Sequence, residues 1–219
     1  YGVPAYSTLG YSNWLGGDPL LSTFIAWPEG DFVRLLFHEL AHQQVYAEGD
    51  TAFNESYATA VERLGVQRWL ERHATPAVRA QFAASEQRRA QFRALTRATR
   101  ERLAAIYEQN SDPTPDHTAL AAMKLEAMQQ FHADYALLRS RWLAAHTPPA
   151  QLAPLDQWVR EANNASFAAQ GAYDDLVPAF VALFEREGRD WPRFHAAVRA
   201  LAKMPRPGRE EALKALAPP

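Results

Sequence analysis

The sequence has no cysteine among its 219 residues. Disulfide bonds, thiolate metal ligands and a cysteine nucleophile are therefore excluded. It has no run of about 18 apolar residues that would span a membrane as a helix, and no basic-then-apolar start typical of a signal peptide. It also has little net charge, since 23 basic and 25 acidic residues leave −2. This balance does not favour a general electrostatic grip on nucleic acid.

What is present is a globular composition. Hydrophobic residues make up 47% and charged residues 22% of the chain, which excludes a disordered tail, a collagen-like repeat and a simple coiled coil. A mass of 24.6 kDa suits one domain or at most two. Because the chain opens at Tyr1 without an initiator Met, we expect a fragment or a processed product whose upstream targeting segment has been lost.

Hydrophobic spacing predicts a mainly α chain of the α+β class, with a small N-terminal β element and a helical C-terminal half. Alternation over Val3 to Leu9 predicts a short strand, and Leu20 to Trp27 is expected to form a second short strand or an extended loop. Helical periodicity begins after Pro28. We expect helices from there towards Gly49, over Phe53 to Leu70, Pro76 to Gln109 and Thr118 to Ala145, then a break at Thr147 to Pro154, and a last helix capped by Asp190.

The first predicted helix contains an H-E-x-x-H motif, His38-Glu39-Leu40-Ala41-His42. Since residues four apart are neighbours on one helix face, His38 and His42 can point two imidazoles at one tetrahedral zinc ion. Glu39 lies one step around the helix, where it takes a proton from metal-activated water as general base and returns it to the leaving amine. The alternative is an ordinary helix with two solvated or core histidines.

A catalytic zinc takes three protein ligands, and Glu55 is the candidate for the third. A turn near Gly49 lets the second helix fold back, so that Glu55 reaches the metal from its first turn. The alternative is a carboxylate favoured there by the helix dipole. Glu48 and Asp50 are lower-ranked rivals within the turn.

Glu62 lies two helical turns beyond Glu55. It is either the acceptor that orients a ligand histidine or a surface charge. Imidazole and carboxylate ligands also accept divalent ions other than zinc.

These residues resemble the glutamate-type zincins, which include thermolysin-like peptidases and zinc aminopeptidases. More specifically, the chain is similar to a bacterial family of predicted aminopeptidases. The resemblance implies a zinc-dependent peptidase that acts on peptide substrates. The segments that carry it are Tyr1 to Gly10, Asp18 to Thr23, His38 to Gln43, Phe53 to Ala60, Asn163-Asn164-Ala165 and Leu176 to Phe180.

On this pattern we expect a zincin core over residues 1–75, a helical subdomain that walls the cleft over 76–204, and a loosely held tail over 205–219. The resemblance also implies a periplasmic or membrane-anchored protein, with a lipid anchor on an N-terminal part outside this chain. One position departs from the thermolysin pattern: the Asp that orients a histidine there is Thr59 here.

Zincins hold an extended peptide on an edge strand, for which Tyr6 to Leu9 is the candidate; the alternative is a strand that pairs only within the fold. We expect Tyr173 to supply the oxyanion donor beyond zinc. Asn163 and Asn164 either bind the substrate backbone or cap the helix near Ala165. No residue identifies the acidic anchor for a free α-amine, so exopeptidase action rests on the resemblance.

The alternative function is a zincin-like binding or scaffold protein without turnover, which a filled fourth coordination position would indicate. A basic stripe on the long helix is expected to be a solvated face or a contact with an acidic surface rather than a nucleic-acid groove; it comprises Arg88, Arg89, Arg93, Arg97 and Arg100. The other histidines show no ligand spacing and are expected to be structural or exposed; they are His73, His117, His132, His146 and His195.

Overall fold

The computed structural model describes residues 27–109, 117–168 and 176–216. These ranges fold into α-helices, with a short helical turn over 164–168. Within them, no helix combines the length and the apolar character needed to cross a membrane. The helices are α1 Glu29–Gln44, α2 Thr51–His73, α3 Pro76–Gln109, α4 His117–Ala144, α5 Pro149–Glu161, α6 Val177–Arg186, α7 Trp191–Ala202 and α8 Arg206–Leu216.

The expected α+β class with a small β element is wrong, because the described ranges contain helices and no strand. The fold class is mainly α. A strand needs a neighbour for its backbone hydrogen bonds, and alternation over a few residues says nothing about whether one exists. The two predicted strands, Val3 to Leu9 and Leu20 to Trp27, fall outside the described residues except for Trp27.

The chain divides into two compact units. Unit A is Tyr1–Phe82 with Ala172–Pro219, and unit B is Ala83–Gly171. Helix α3 runs on from unit A into unit B, and the C-terminal helices return to unit A. The division into 1–75, 76–204 and 205–219 stays a prediction.

Two proline-rich segments form helices, although a break was expected at the first and a loosely held tail at the second. Pro149 begins α5, and Pro207 lies in the first turn of α8. Both positions tolerate proline because the first N–H groups of a helix have no partner within it. Residues 206–216, expected as a loose tail, instead bury Leu213 in the core of unit A.

The core of unit A joins α2 to the C-terminal helices. Aromatic rings of Phe53 and Tyr57 on α2 pack against Phe180 on α6, with centroids 5.2 and 5.8 Å apart. Tyr57 also packs against Phe194 on α7. All four rings are fully buried, so this side of α2 is held while its other side faces α1.

Close packing brings α1 and α2 together as a hairpin. A Cβ on Gly65 would lie 2.9 Å from the ring of Phe37, so only glycine allows this approach of α2 to α1. The connection turns at Gly49, whose φ is +73°, a conformation that glycine adopts at little cost. Asn54 then fixes the loop by donating to the Ala47 carbonyl and accepting from the Ala47 N–H, both at 2.8 Å.

A buried ion pair ties α8 to the start of α2. Asp50 caps α2 by accepting from Phe53 N through Oδ1, and its Oδ2 accepts from Arg209 Nη1 at 2.7 Å. Arg209 also donates to the carbonyls of Ala202 and Met204 and lies over the Phe53 ring. One side chain therefore links the end of α7, α8 and the N-cap of α2.

Unit B has its own aromatic core, built from α3, α4, α5 and the turn at 164–168. Phe131 and Phe167 meet edge to face with centroids 5.0 Å apart. At its edge, Asp156 accepts from Tyr135 at 2.6 Å and from Arg139 at 2.8 and 3.1 Å. The cation beside Asp156 outweighs burial and lowers the pKa of that carboxyl.

Arg209→Met should destabilise the protein by about 3–5 kcal/mol, because it leaves the Asp50 carboxylate buried without its cation. Urea unfolding measures this loss. The double variant Asp50→Asn/Arg209→Met should recover part of it, since Asn still caps a helix. The control is Arg206→Met, which breaks an exposed pair with Glu210 and should change stability little. Equal effects of the two single variants would contradict this role of Arg209.

Candidate metal centre

His38 and His42 project from one face of α1 towards Glu55 in the first full turn of α2. His38 Nε2 lies 3.3 Å from Glu55 Oε2, and His42 Nε2 lies 3.8 Å from Glu55 Oε1. The two imidazole rings stand edge to face with centroids 5.1 Å apart. Each of the three residues offers a ligand atom, and these atoms all lie within 4.8 Å of one another.

This donor set fits a tetrahedral divalent ion. Bonds of about 2.0–2.1 Å place the ligand atoms of tetrahedral zinc about 3.3–3.4 Å apart. The His38–Glu55 separation already has this value, and the His42–Glu55 separation is somewhat longer. Two neutral imidazoles with one carboxylate are ligands that zinc accepts.

The second nitrogen of His38 is held by Glu62, from two turns further along α2. His38 Nδ1 lies 3.0 Å from Glu62 Oε2, and Arg34 Nη1 donates to Glu62 Oε1 at 2.7 Å. When Nδ1–H donates to this carboxylate, the lone pair of the ring is on Nε2, which faces Glu55. The sequence left open whether Glu62 orients a ligand histidine or is a surface charge. Its contact with His38 Nδ1 puts it where it can orient that ring.

His42 has a different environment. Its Nδ1 is buried and has no hydrogen-bond partner among residues 27–109, 117–168 and 176–216. Its Nε2 faces Glu55. Among these residues, therefore, Glu62 orients one imidazole of the pair and nothing does so for the other.

The charges around the two histidines separate their pKa values. Burial lowers the pKa of His38, but hydrogen bonds and negative charge from Glu55 and Glu62 outweigh it and raise that pKa to about 9. Burial and the neighbouring His38 lower the pKa of His42, against the attraction of Glu55. Burial raises the pKa of Glu62, but His38 and Arg34 outweigh it and keep that carboxyl ionised.

Without a metal, the cluster therefore holds an imidazolium between two carboxylates near neutral pH. A bound divalent cation would replace that proton, because metal ligation requires a neutral imidazole. The site is built to hold positive charge at the point that the three side chains surround.

The remaining motif residues are placed by the same hairpin. Glu39 follows His38 on α1 and is half-buried. Glu48 is exposed in the connection. Asp50 is occupied by the cap and by Arg209. Of the three acidic candidates near Gly49, the structure thus brings only Glu55 to the histidines.

The predicted substrate residues are elsewhere in the chain. Tyr173 and the Tyr6 to Leu9 segment lie outside the described residues. In unit B, Asn163 Oδ1 accepts from Ala165 N at 2.9 Å, which is the capping geometry, and Asn164 Nδ2 donates to Tyr107 at 2.6 Å. The contact of these two residues with substrate stays a prediction.

The basic stripe on α3 is partly paired within its own helix. Arg89 donates to Glu86 at 2.5 Å, and Arg97 lies 3.8 Å from Glu101. These contacts agree with a solvent-facing side of the helix that carries ion pairs.

Sequence reasoning missed three contributors to this site. Arg34 lies one helical turn before His38. This spacing indicates a shared carboxylate partner only if Glu62 is already known to lie opposite both residues. Asn54 precedes Glu55, and its hold on Ala47 depends on the loop conformation. Arg209 acts from a segment distant in sequence, so no local pattern indicates it.

Fold and site together define a mainly α protein with a candidate divalent-metal centre, made by an H-E-x-x-H helix and a glutamate from the next helix. A family model described as putative aminopeptidase matches residues 1–213, so the chain belongs to that family. Searches of curated proteins and of solved structures found no match. The expected aminopeptidase family is confirmed, and the zincin type stays a prediction.

In chelator-treated protein, His38 should titrate with a pKa of about 9, and Glu62→Gln should lower that pKa because one of its two carboxylate partners is lost. Proton-detected NMR of the imidazole resonances measures both. The pKa of His42 should lie below 6.5 in the same spectra, which provides an internal control.

The same shift links stability to pH. Since the folded-state pKa of His38 is raised, its contribution to stability is fully present below about 6.5, the ordinary value, and is lost as pH rises through about 9. Urea midpoints of the metal-free protein should fall over this window, and by less in Glu62→Gln. A wild-type midpoint that rises across it would contradict the assignment.

Proposed function

We propose that unit A carries a zinc-dependent peptidase site in which His38, His42 and Glu55 hold the metal and Glu39 is the general base. The observation that carries the proposal is the convergence of two imidazoles and one carboxylate from successive helices. The aminopeptidase family supports a peptide as substrate.

Zinc, when bound, supplies a Lewis acid that polarises the scissile carbonyl and activates water. Side chains of the protein carry out the other steps of the proposed reaction. Glu39 accepts the proton of the attacking water at its carboxylate and passes it to the nitrogen of the leaving amine. Glu62 keeps the His38 lone pair on Nε2, and Arg34 keeps Glu62 ionised.

The proposed substrate has a free N-terminus, in keeping with the family's name. Tyr173 as oxyanion donor and Asn163 with Asn164 as backbone-binding residues remain predictions of the sequence. A location in the periplasm, or at a membrane to which the protein is anchored by lipid, rests on the resemblance alone.

Glu55→Gln should weaken Zn²⁺ binding by more than about 100-fold, since even residues that only orient a ligand contribute 10–100-fold. Isothermal titration of the metal-free protein with Zn²⁺ measures the affinity and should give one site per chain. The matched control is Glu48→Gln, which removes an exposed carboxylate from the preceding loop and should bind as wild type does. Equal loss in both variants, or no loss in either, would contradict Glu55 as the ligand.

Glu39→Gln should keep zinc binding but lower kcat/KM by about 10²–10⁴-fold, the contribution typical of a general base. The assay is digestion of a peptide library, analysed by mass spectrometry, with each peptide in free and N-acetylated forms. Stepwise loss of N-terminal residues from the free forms alone is expected. Cleavage by the variant at the wild-type rate would sink the mechanism, whereas zinc binding without cleavage by either protein would favour the scaffold function.

A further inference from the structure

A second concave site lies on the neighbouring face of the metal-site helix. It is a groove of about 590 Å³ between α1 and α7, within the size range of ligand pockets. Its α1 wall uses Phe37, Leu40 and Gln44, which follow one another at helix spacing, whereas His38 and His42 face α2. Neighbouring sides of one helix thus serve the two sites.

The lining of the groove is apolar, with polar groups from α7 at one side. Phe37, Leu40 and Trp191 contribute apolar surface, and Leu40 is 49% exposed although it sits inside the H-E-x-x-H motif. His195 and Arg199 add polar groups one turn apart on α7. No aspartate or glutamate is among the described residues that line the groove.

His195 is held in one orientation. Its ring stacks on Trp191 with an interplanar angle of 30°, and its Nδ1 lies 2.8 Å from the hydroxyl of the fully buried Tyr57. Burial raises the pKa of Tyr57, so the hydroxyl stays protonated and donates a hydrogen bond to Nδ1 of His195. Burial, together with the charge of Arg199, lowers the pKa of His195. A neutral ring that accepts at Nδ1 carries its own proton on Nε2, which leaves Nε2–H as a donor.

Arg199 supplies the charge. Its guanidinium has no ion pair with any residue in the described ranges, and it lies near enough to His195 to shift its titration. A guanidinium and an N–H donor beside an apolar wall are suited to a carboxylate that carries an apolar side chain.

We propose that this groove binds the C-terminal residue of a peptide, with its carboxylate at Arg199 and His195 and its apolar side chain against Phe37, Leu40 and Trp191. Charge complementarity selects this occupant, because the described residues of the groove offer one cation without an ion pair among them and no carboxylate. The site is separate from the proposed hydrolysis, since binding here requires neither metal nor turnover.

The test is calorimetric titration with N-acetyl-leucyl-phenylalanine and with its C-terminal amide, two ligands that differ only in the carboxylate. Their blocked N-terminus prevents removal of residues by an aminopeptidase. The acid should bind saturably and at least about 10-fold more tightly than the amide. Arg199→Gln should remove that preference. Arg193→Gln, on the same helix but outside the groove, should leave it unchanged.

A paired variant tests the second donor. Tyr57→Phe/His195→Phe removes the Nε2–H and the buried hydroxyl together, so that no polar group is left without a partner, and it should weaken binding of the acid about 5-fold. Urea unfolding checks that the variant is folded. The Arg199→Gln comparison stands if it is not.

A carboxylate could also bind at the metal centre, and Glu55→Gln in chelator separates the two sites. Acid binding that persists there supports the groove even if the proposed metal site fails. Acid and amide of equal affinity, binding unchanged by Arg199→Gln, or no saturable binding would each overturn the proposal.

Discussion

The antiparallel contact of α1 with α2 is the constraint on which the rest of this structure depends. Gly65 lets the helices approach until a side chain there would collide with Phe37, and Asn54 holds the connecting loop through the backbone of Ala47. With the approach and the loop both fixed, Glu55 has little freedom to lie anywhere but opposite His38 and His42. The candidate metal centre is therefore a consequence of how two helices pack.

Charge explains why this packing holds a polar cluster at a partly buried position. Two carboxylates of α2 face two imidazoles and a guanidinium of α1, and in metal-free protein a proton on His38 completes the balance. Buried charge is costly unless it is paired. A divalent ion bound in place of that proton would make the cluster one unit more positive. Stability and metal binding therefore draw on the same few side chains. The ion pair of Asp50 with Arg209 supports this arrangement by fixing the N-cap of α2.

Much of the helical framework could be predicted because its signals are local. The bounds of α3 follow from Pro76 and an unbroken apolar spacing, and Asp190 caps α7 as its position before Trp191-Pro192 suggests. The segments around Pro149 and Pro207 differ from expectation because proline there lies in the first turn of a helix, a position that tolerates it. The predicted strands depended on pairing partners that no short segment reveals. The three-residue cluster followed from helix spacing, whereas the contributions of Arg34 and Arg209 depend on tertiary contacts.

The most direct measurement of the central claim is a crystal structure of the zinc-loaded protein with anomalous diffraction recorded at the zinc edge. The account predicts one strong anomalous peak about 2.0–2.2 Å from Nε2 of both histidines and from a Glu55 oxygen, with Glu62 still on His38 Nδ1. A peak at some other group of side chains, or a Glu55 side chain turned away from the ion, would contradict it.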